Sequence, residues 1–161
     1  MTGVVVQVSI SPGGVPNRPI ERGDVTLRGI VGDGWRHPAF HGIPKRAILL
    51  MTAEGIDEIK AIGFPVYPGA LGENLTTSGL DRRALRIGQH FRCGSAVIRL
   101  TELRVPCGTL RIYGREISRA LWDDRAIKGD PSSDVWGLSG YYASVTEPGT
   151  LLPGDPITLL I

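Results

Sequence analysis

The sequence predicts a mainly β fold: a closed or nearly closed β-barrel with a few short helices packed outside it. Three observations point there. Short apolar runs recur along the chain, and the 22 glycines and 12 prolines are scattered between them as turn punctuation rather than gathered in one disordered tract. Only two stretches carry helical spacing.

The predicted strands, in chain order, are VVVQVSI (4–10), AILLM (47–51), GQHFRC (88–93), AVIRLTEL (96–103), YYASVTE (141–147) and ITLLI (157–161). Cys93-Gly94-Ser95 reads as the hairpin connection between the third and fourth of these, which makes Cys93 a buried structural thiol. The first helical stretch, TAEGIDEIKAIG, has Thr52 as N-cap, acids in its first turn, Ile56, Ile59 and Ile62 on one face, and Gly63 as terminator. The second, TLRIYGREISRALWDDRAI, places Leu110, Tyr113, Ile117 and Leu121 at helical spacing. No internal repeat, low-complexity segment or linker interrupts residues 1–161, which read as one domain. A chain of this length buries about 70% of its unfolded surface and needs no staples.

A formal charge of +2 with no dense basic run gives no reason to expect nucleic acid. The basic residues are mostly arginine, with lysine only at Lys45, Lys60 and Lys128. Arginine forks suit phosphates and carboxylates, although codon bias alone produces the same excess. MTGVVVQVSI lacks a basic leader pattern, and no apolar run approaches the roughly 20 residues that span a bilayer, so a cytoplasmic protein without membrane contact is expected. Two cysteines, Cys93 and Cys107, make no disulfide framework.

The stretch RVPCGTL (104–110) holds the more interesting thiol. Pro106 fixes its own φ and pushes Val105 toward extended geometry, and Gly108 frees the chain to turn. A cysteine at such a corner can face a pocket, with Arg104 supplying positive charge that favours thiolate; it can equally be a small buried hydrophobe. Four chemistries are compatible with the residues. His37 and His41 have the spacing of a helical zinc pair, but Pro38 and Gly42 argue against a helix there. Cys107 with His41 is the one sensible nucleophile pair. SPGGVPNR and GALGENL are glycine-rich turns able to form an anion nest, without matching a P-loop. Finally, one thiolate in a positive pocket suits a soft metal that arrives already held by a phosphorylated organic cofactor.

Taken in order, SPGGVPNRP, GIVGDGWRHPAFHG, KRAILLMTAEG, GALGENLTTSGL, LRIGQHFRCGSAVIRLTELRVPCGTL, GYYASV and GTLLPGDPITLL resemble the MOSC family, found at the C-terminus of molybdenum cofactor sulfurases and in stand-alone bacterial proteins. The resemblance implies a barrel-like fold and a pocket for the molybdenum cofactor, a molybdopterin. It puts the family's diagnostic cysteine, the molybdenum ligand, on Cys107. It puts the acidic-amide turn on Glu73 and Asn74, the aspartate and histidine on Asp33 and His41, and the arginine before the cysteine on Arg104. Gly72, Arg18 and Arg46 join Arg104, Asn74 and Asp33 as implied cofactor-binding positions. Cys107, Glu73 and His41 are the implied catalytic residues, the latter two moving protons. Two departures qualify this: HGIPKR, with Ile43 and Pro44, stands where relatives commonly have His-Gly-Gly, and the extensions of longer relatives are not in this sequence. The implied activity is reduction of N-hydroxylated or related N-oxygenated small molecules. Electrons are expected from a partner protein, since the sequence contains no flavin or iron–sulfur motif. The competing expectation is a module that carries cofactor or sulfur without turnover.

Overall fold

The fold is described from a computed structural model, which describes residues 1–34 and 43–161. Among the described residues eleven strands are present: β1 (Thr2–Ile10), β2 (Arg18–Ile20), β3 (Gly23–Thr26), β4 (Gly29–Ile30), β5 (Ile48–Thr52), β6 (Leu75–Ser78), β7 (His90–Cys93), β8 (Ala96–Leu103), β9 (Tyr141–Glu147), β10 (Gly149–Leu151) and β11 (Pro156–Leu159). The order β1-β11-β7-β8-β9-β5-β6 returns to β1, so these strands close into a seven-stranded barrel with β2 added outside β1. Closure leaves no bare edge among the seven. Strands β3, β4 and β10 form a small second sheet. The predicted barrel is thus the observed one, and each of the six predicted strands is present within a residue or two of its expected ends. The strands missed by sequence reading, β2, β3, β4, β6 and β10, are two to four residues long, too short to carry a pattern of their own.

Two details of the wall position the site. Strand β5 is buried along its whole length: Ile48 and Leu50 point into the barrel core, while Met51 packs in a second apolar cluster outside the wall. A strand covered on both faces reads as a continuous apolar run, as ILLMT does. Strand β1 carries a register shift between Val5 and Gln7 in its pairing with β6, so Val5 and Val8, three apart, both reach the core. The bulge replaces the simple alternation a regular strand would show.

The outer cluster is built by the helices. Helix α1 (Ala53–Ala61) connects β5 to its parallel neighbour β6; Thr52 caps it by accepting the Gly55 N–H, and Ile56 and Ile59 are buried. The second predicted helix is broken. Gly108–Tyr113 is a 3₁₀ turn, followed after Gly114 by α2 (Ile117–Leu121) and α3 (Asp124–Ile127). At Gly114 φ is +151°, and a Cβ there would lie 2.7 Å from the Phe64 ring, so the chain turns at a close approach that only glycine permits. The apolar spacing nevertheless served its purpose: Leu110, Ile117 and Leu121 are all buried in the outer cluster, with Tyr113 packed against it.

Candidate functional site

On the outer side of the barrel wall, the cross-strand pair Leu49 and Tyr142 faces away from the core residues beside it. There a cleft opens, holding about 610 Å³ of empty space counted out to its mouth. Its walls come from the turn after β1 (Ser11, Asn17), the segment after β4 (Asp33), the entries to β5 and β6 (Arg46, Gly72, Asn74), and the chain leaving β8 (Arg104, Cys107, Thr109). Six segments far apart in sequence, the last of them β9 with Tyr142, meet here because barrel closure brings them together.

Cys107 is half-buried, in extended geometry immediately before the 3₁₀ turn. Its Sγ lies 2.7 Å from Thr109 Oγ1, within hydrogen-bond reach. The other thiol differs: Cys93 pairs across the β7–β8 hairpin with Ala96, sits in the barrel core, and is pushed up to about 12 by burial and by the nearby Asp155 carboxylate. The corner at RVPCGTL therefore presents a thiol to a cleft, whereas the hairpin thiol faces packed side chains.

Arg104 is buried and lines the cleft, yet two of its donors are engaged elsewhere: Nε donates to Ser139 O and Nη2 to Leu71 O, each at 2.9 Å. Burial lowers its pKa from the ordinary arginine value, against the attraction of Tyr142, Cys107 and Glu73. It is thus both a brace between two loops and a positive wall. Arg46 donates to Glu102 and stacks 5.3 Å from the centre of the Tyr142 ring.

Asp33 and Asn74 form a joint rather than an open pair of ligands. Asp33 accepts from the Ser11 N–H at 3.0 Å and from Asn74 Nδ2 at 2.9 Å; burial raises its carboxyl above the ordinary value despite those bonds. Asn74 also donates to Ser9 O at 3.2 Å and accepts the Leu49 N–H at 3.0 Å, so its amide reinforces the backbone bonds by which Asn74 already joins Ser9 of β1 and Leu49 of β5. Asn17, which sequence reading passed over in favour of its neighbour, donates to Gly72 O at 3.1 Å and fixes the same loop. Gly69 in that loop has φ +93°, and a Cβ there would strike Asn17 O at 2.5 Å.

The structure brings Cys107, Arg104, Asn74, Asp33, Gly72 and Arg46 to one cleft. Glu73 is not on its wall. It is fully buried behind it; Oε1 accepts from the Gly69 N–H at 2.6 Å and Thr76 Oγ1 at 3.2 Å, Oε2 has no hydrogen-bond partner among the described residues, and burial raises the carboxyl. Arg18 is exposed on β2, away from the cleft. His37 and His41 lie outside the described residues. Ser11, Asn17, Thr109 and Tyr142 line the cleft without having been singled out from sequence; only their place in the closed barrel reveals them. Among the described residues no three His, Cys, Asp or Glu side chains cluster to hold a metal.

A family model for the MOSC domain matches residues 37–158. The chain belongs to the MOSC domain family. This MOSC domain is 29% identical over 150 residues to the uncharacterised protein YflK of Bacillus subtilis strain 168, covering 91% of this chain and 63% of that protein. It is 29% identical over 144 residues to protein YiiM of Escherichia coli strain K12, covering 84% of this chain and 58% of that one. A protein named Reductase from Gibberella moniliformis is 30% identical over 137 residues, covering 82% of this chain and 22% of that protein. The domain thus spans about three fifths of the length of its bacterial relatives and a smaller part of the fungal one. The crystal structure of E. coli YiiM superposes with a TM-score of 0.71 at 25% identity, covering 100% of this chain and 70% of that one. No helix among the described residues is long and apolar enough to cross a membrane.

Proposed function

We propose that this MOSC domain binds the molybdenum cofactor in the Cys107 cleft and reduces N-hydroxylated or related N-oxygenated small molecules. Electrons come from a partner protein. One observation carries the reading: Cys107 puts a sulfur on the wall of a cleft whose other polar side chains are hydroxyls, amides, one carboxylate and two guanidiniums. Thiolate is the soft ligand in that set, and a metal already chelated by an organic cofactor needs only one such bond. The donor set therefore fits the group. Cys107 would hold the metal, and Arg104 and Arg46 would offer positive charge to phosphate or pterin oxygens. Asp33, Asn74 and Gly72 would shape the wall. When bound, the cofactor supplies the two-electron redox couple. The substrate takes two electrons and two protons, its N–O bond breaks, and its oxygen leaves as water. His41, which lies outside the described residues, is the proposed proton carrier, with Glu73 behind the wall as a buried store.

A carrier of cofactor or sulfur is the second reading, and one observation favours it. The carboxylate on the described wall, Asp33, accepts on both oxygens, from the Ser11 N–H and from Asn74 Nδ2, which makes it a structural joint of the wall. Turnover separates the two. Protein expressed with the cofactor supplied is expected to reduce an N-hydroxylated amine with reduced viologen as donor. Retained molybdenum without any turnover supports the carrier. Near-stoichiometric zinc with no molybdenum contradicts both.

A further inference from the structure

We propose that a groove beside Cys107 docks the acidic face of a small electron-carrier protein. This rests on the reductase reading of the cleft. The groove is lined by Pro106, Gly108, Arg111, Arg115, Glu116 and Arg119, among others. The turn that carries the thiol divides its residues between two surfaces: Cys107 and Thr109 line the cleft, whereas Pro106 and Gly108 line the groove. The groove and the cleft thus share the short segment that carries the thiol.

The composition fits a protein partner. Three exposed guanidiniums face one carboxylate, Glu116, which pairs with Arg119 at 3.3 Å. Among the described residues, the side chains of Arg111 and Arg115 make no hydrogen bond or ion pair. Val105 and Ile112, 62% and 67% exposed, are sequence neighbours of the groove residues Pro106 and Arg111. Arginine with exposed aliphatic groups is the composition of an interface, and the unbalanced positive charge calls for carboxylates opposite. A small anion explains less, since it has no use for the neighbouring apolar groups and is repelled by Glu116. Recognition by charge would also speed encounter, as short-lived electron-transfer contacts require.

Binding is measured on the full chain without cofactor, using an acidic flavodoxin and an acidic [2Fe–2S] ferredoxin as probes. At least one is expected to bind with an affinity that falls as salt rises. Arg111→Glu/Arg115→Glu/Arg119→Glu is expected to weaken that binding about tenfold or more. The equal charge change Arg22→Glu/Arg28→Glu/Arg92→Glu, away from the groove, is expected to change it less than about twofold. The milder Arg111→Gln/Arg115→Gln/Arg119→Gln should give an intermediate loss, which guards against misfolding of the charge-reversed chain. Binding of neither probe, or equal weakening by both triple reversals, overturns the proposal. So does loss of molybdenum from the groove variant when cofactor is supplied, which would make the groove an anion site for the cofactor. A parent that takes up no molybdenum would count against the reductase reading while leaving the binding result to stand.

Discussion

Glu73 places a carboxyl behind the cleft with one oxygen that has no hydrogen-bond partner among the described residues, and burial is the largest influence on it. An unfolded glutamate ionises near about 4.3. Because the folded carboxyl titrates higher, the fold is favoured by the protonated form, and that contribution is lost as pH rises from the unfolded value toward the folded one. Glu73→Gln is therefore expected to gain stability relative to the parent as pH rises through that window, with the gap closing at acidic pH. Unfolding by denaturant at several pH values checks this; a parent that gains on the variant with rising pH would mean an ionised, paired Glu73. Arg104 invites a second comparison. Arg104→Ala strips partners from the carbonyls of Ser139 and Leu71 and should cost about 3 kcal/mol of stability along with cofactor retention. Arg104→Lys keeps a charge but not the fork, so it should hold less molybdenum than the parent while folding better than the alanine variant. An alanine variant that retains cofactor as the parent does would reduce Arg104 to a brace.

At the scale of elements, the Asp33–Asn74 joint matters because it ties the turn after β1 to the entries of β5 and β6. Asn74→Ala leaves the Leu49 N–H without its partner and Ser9 O with only the long bond from Asn17 Nδ2, and is expected to destabilise the fold by about 2–4 kcal/mol. Thermal unfolding is the check, and a change under about 0.5 kcal/mol would show the joint to be dispensable. Longer elements were legible in the sequence because their residues announce both type and face: VVVQVSI for β1, Thr52 and the isoleucines for α1. The corner at Cys107 was legible from proline and glycine alone. What sequence could not give was the break at Gly114, set by the Phe64 ring from another segment. Nor could it show that Asn74 is occupied as a joint, that Glu73 lies behind the wall, or that Arg18 faces solvent. In each case a long-range contact decides, and local spacing carries no trace of it.

The whole molecule is a closed barrel that spends its interior on packing and holds its chemistry outside the wall, where β5 and β9 turn Leu49 and Tyr142 outward. A ligand that binds only this assembled cleft stabilises the fold by mass action, so cofactor-loaded protein should unfold at a higher temperature than cofactor-free protein. Cys107→Ser should abolish that difference. The central claim is that one thiol of the two holds the metal. Its most direct measurement is molybdenum per chain in the parent, Cys93→Ser and Cys107→Ser, each expressed with the cofactor supplied. The expected result is metal in the parent and in Cys93→Ser and nearly none in Cys107→Ser. Molybdenum retained by Cys107→Ser, or lost equally from both variants, would contradict it.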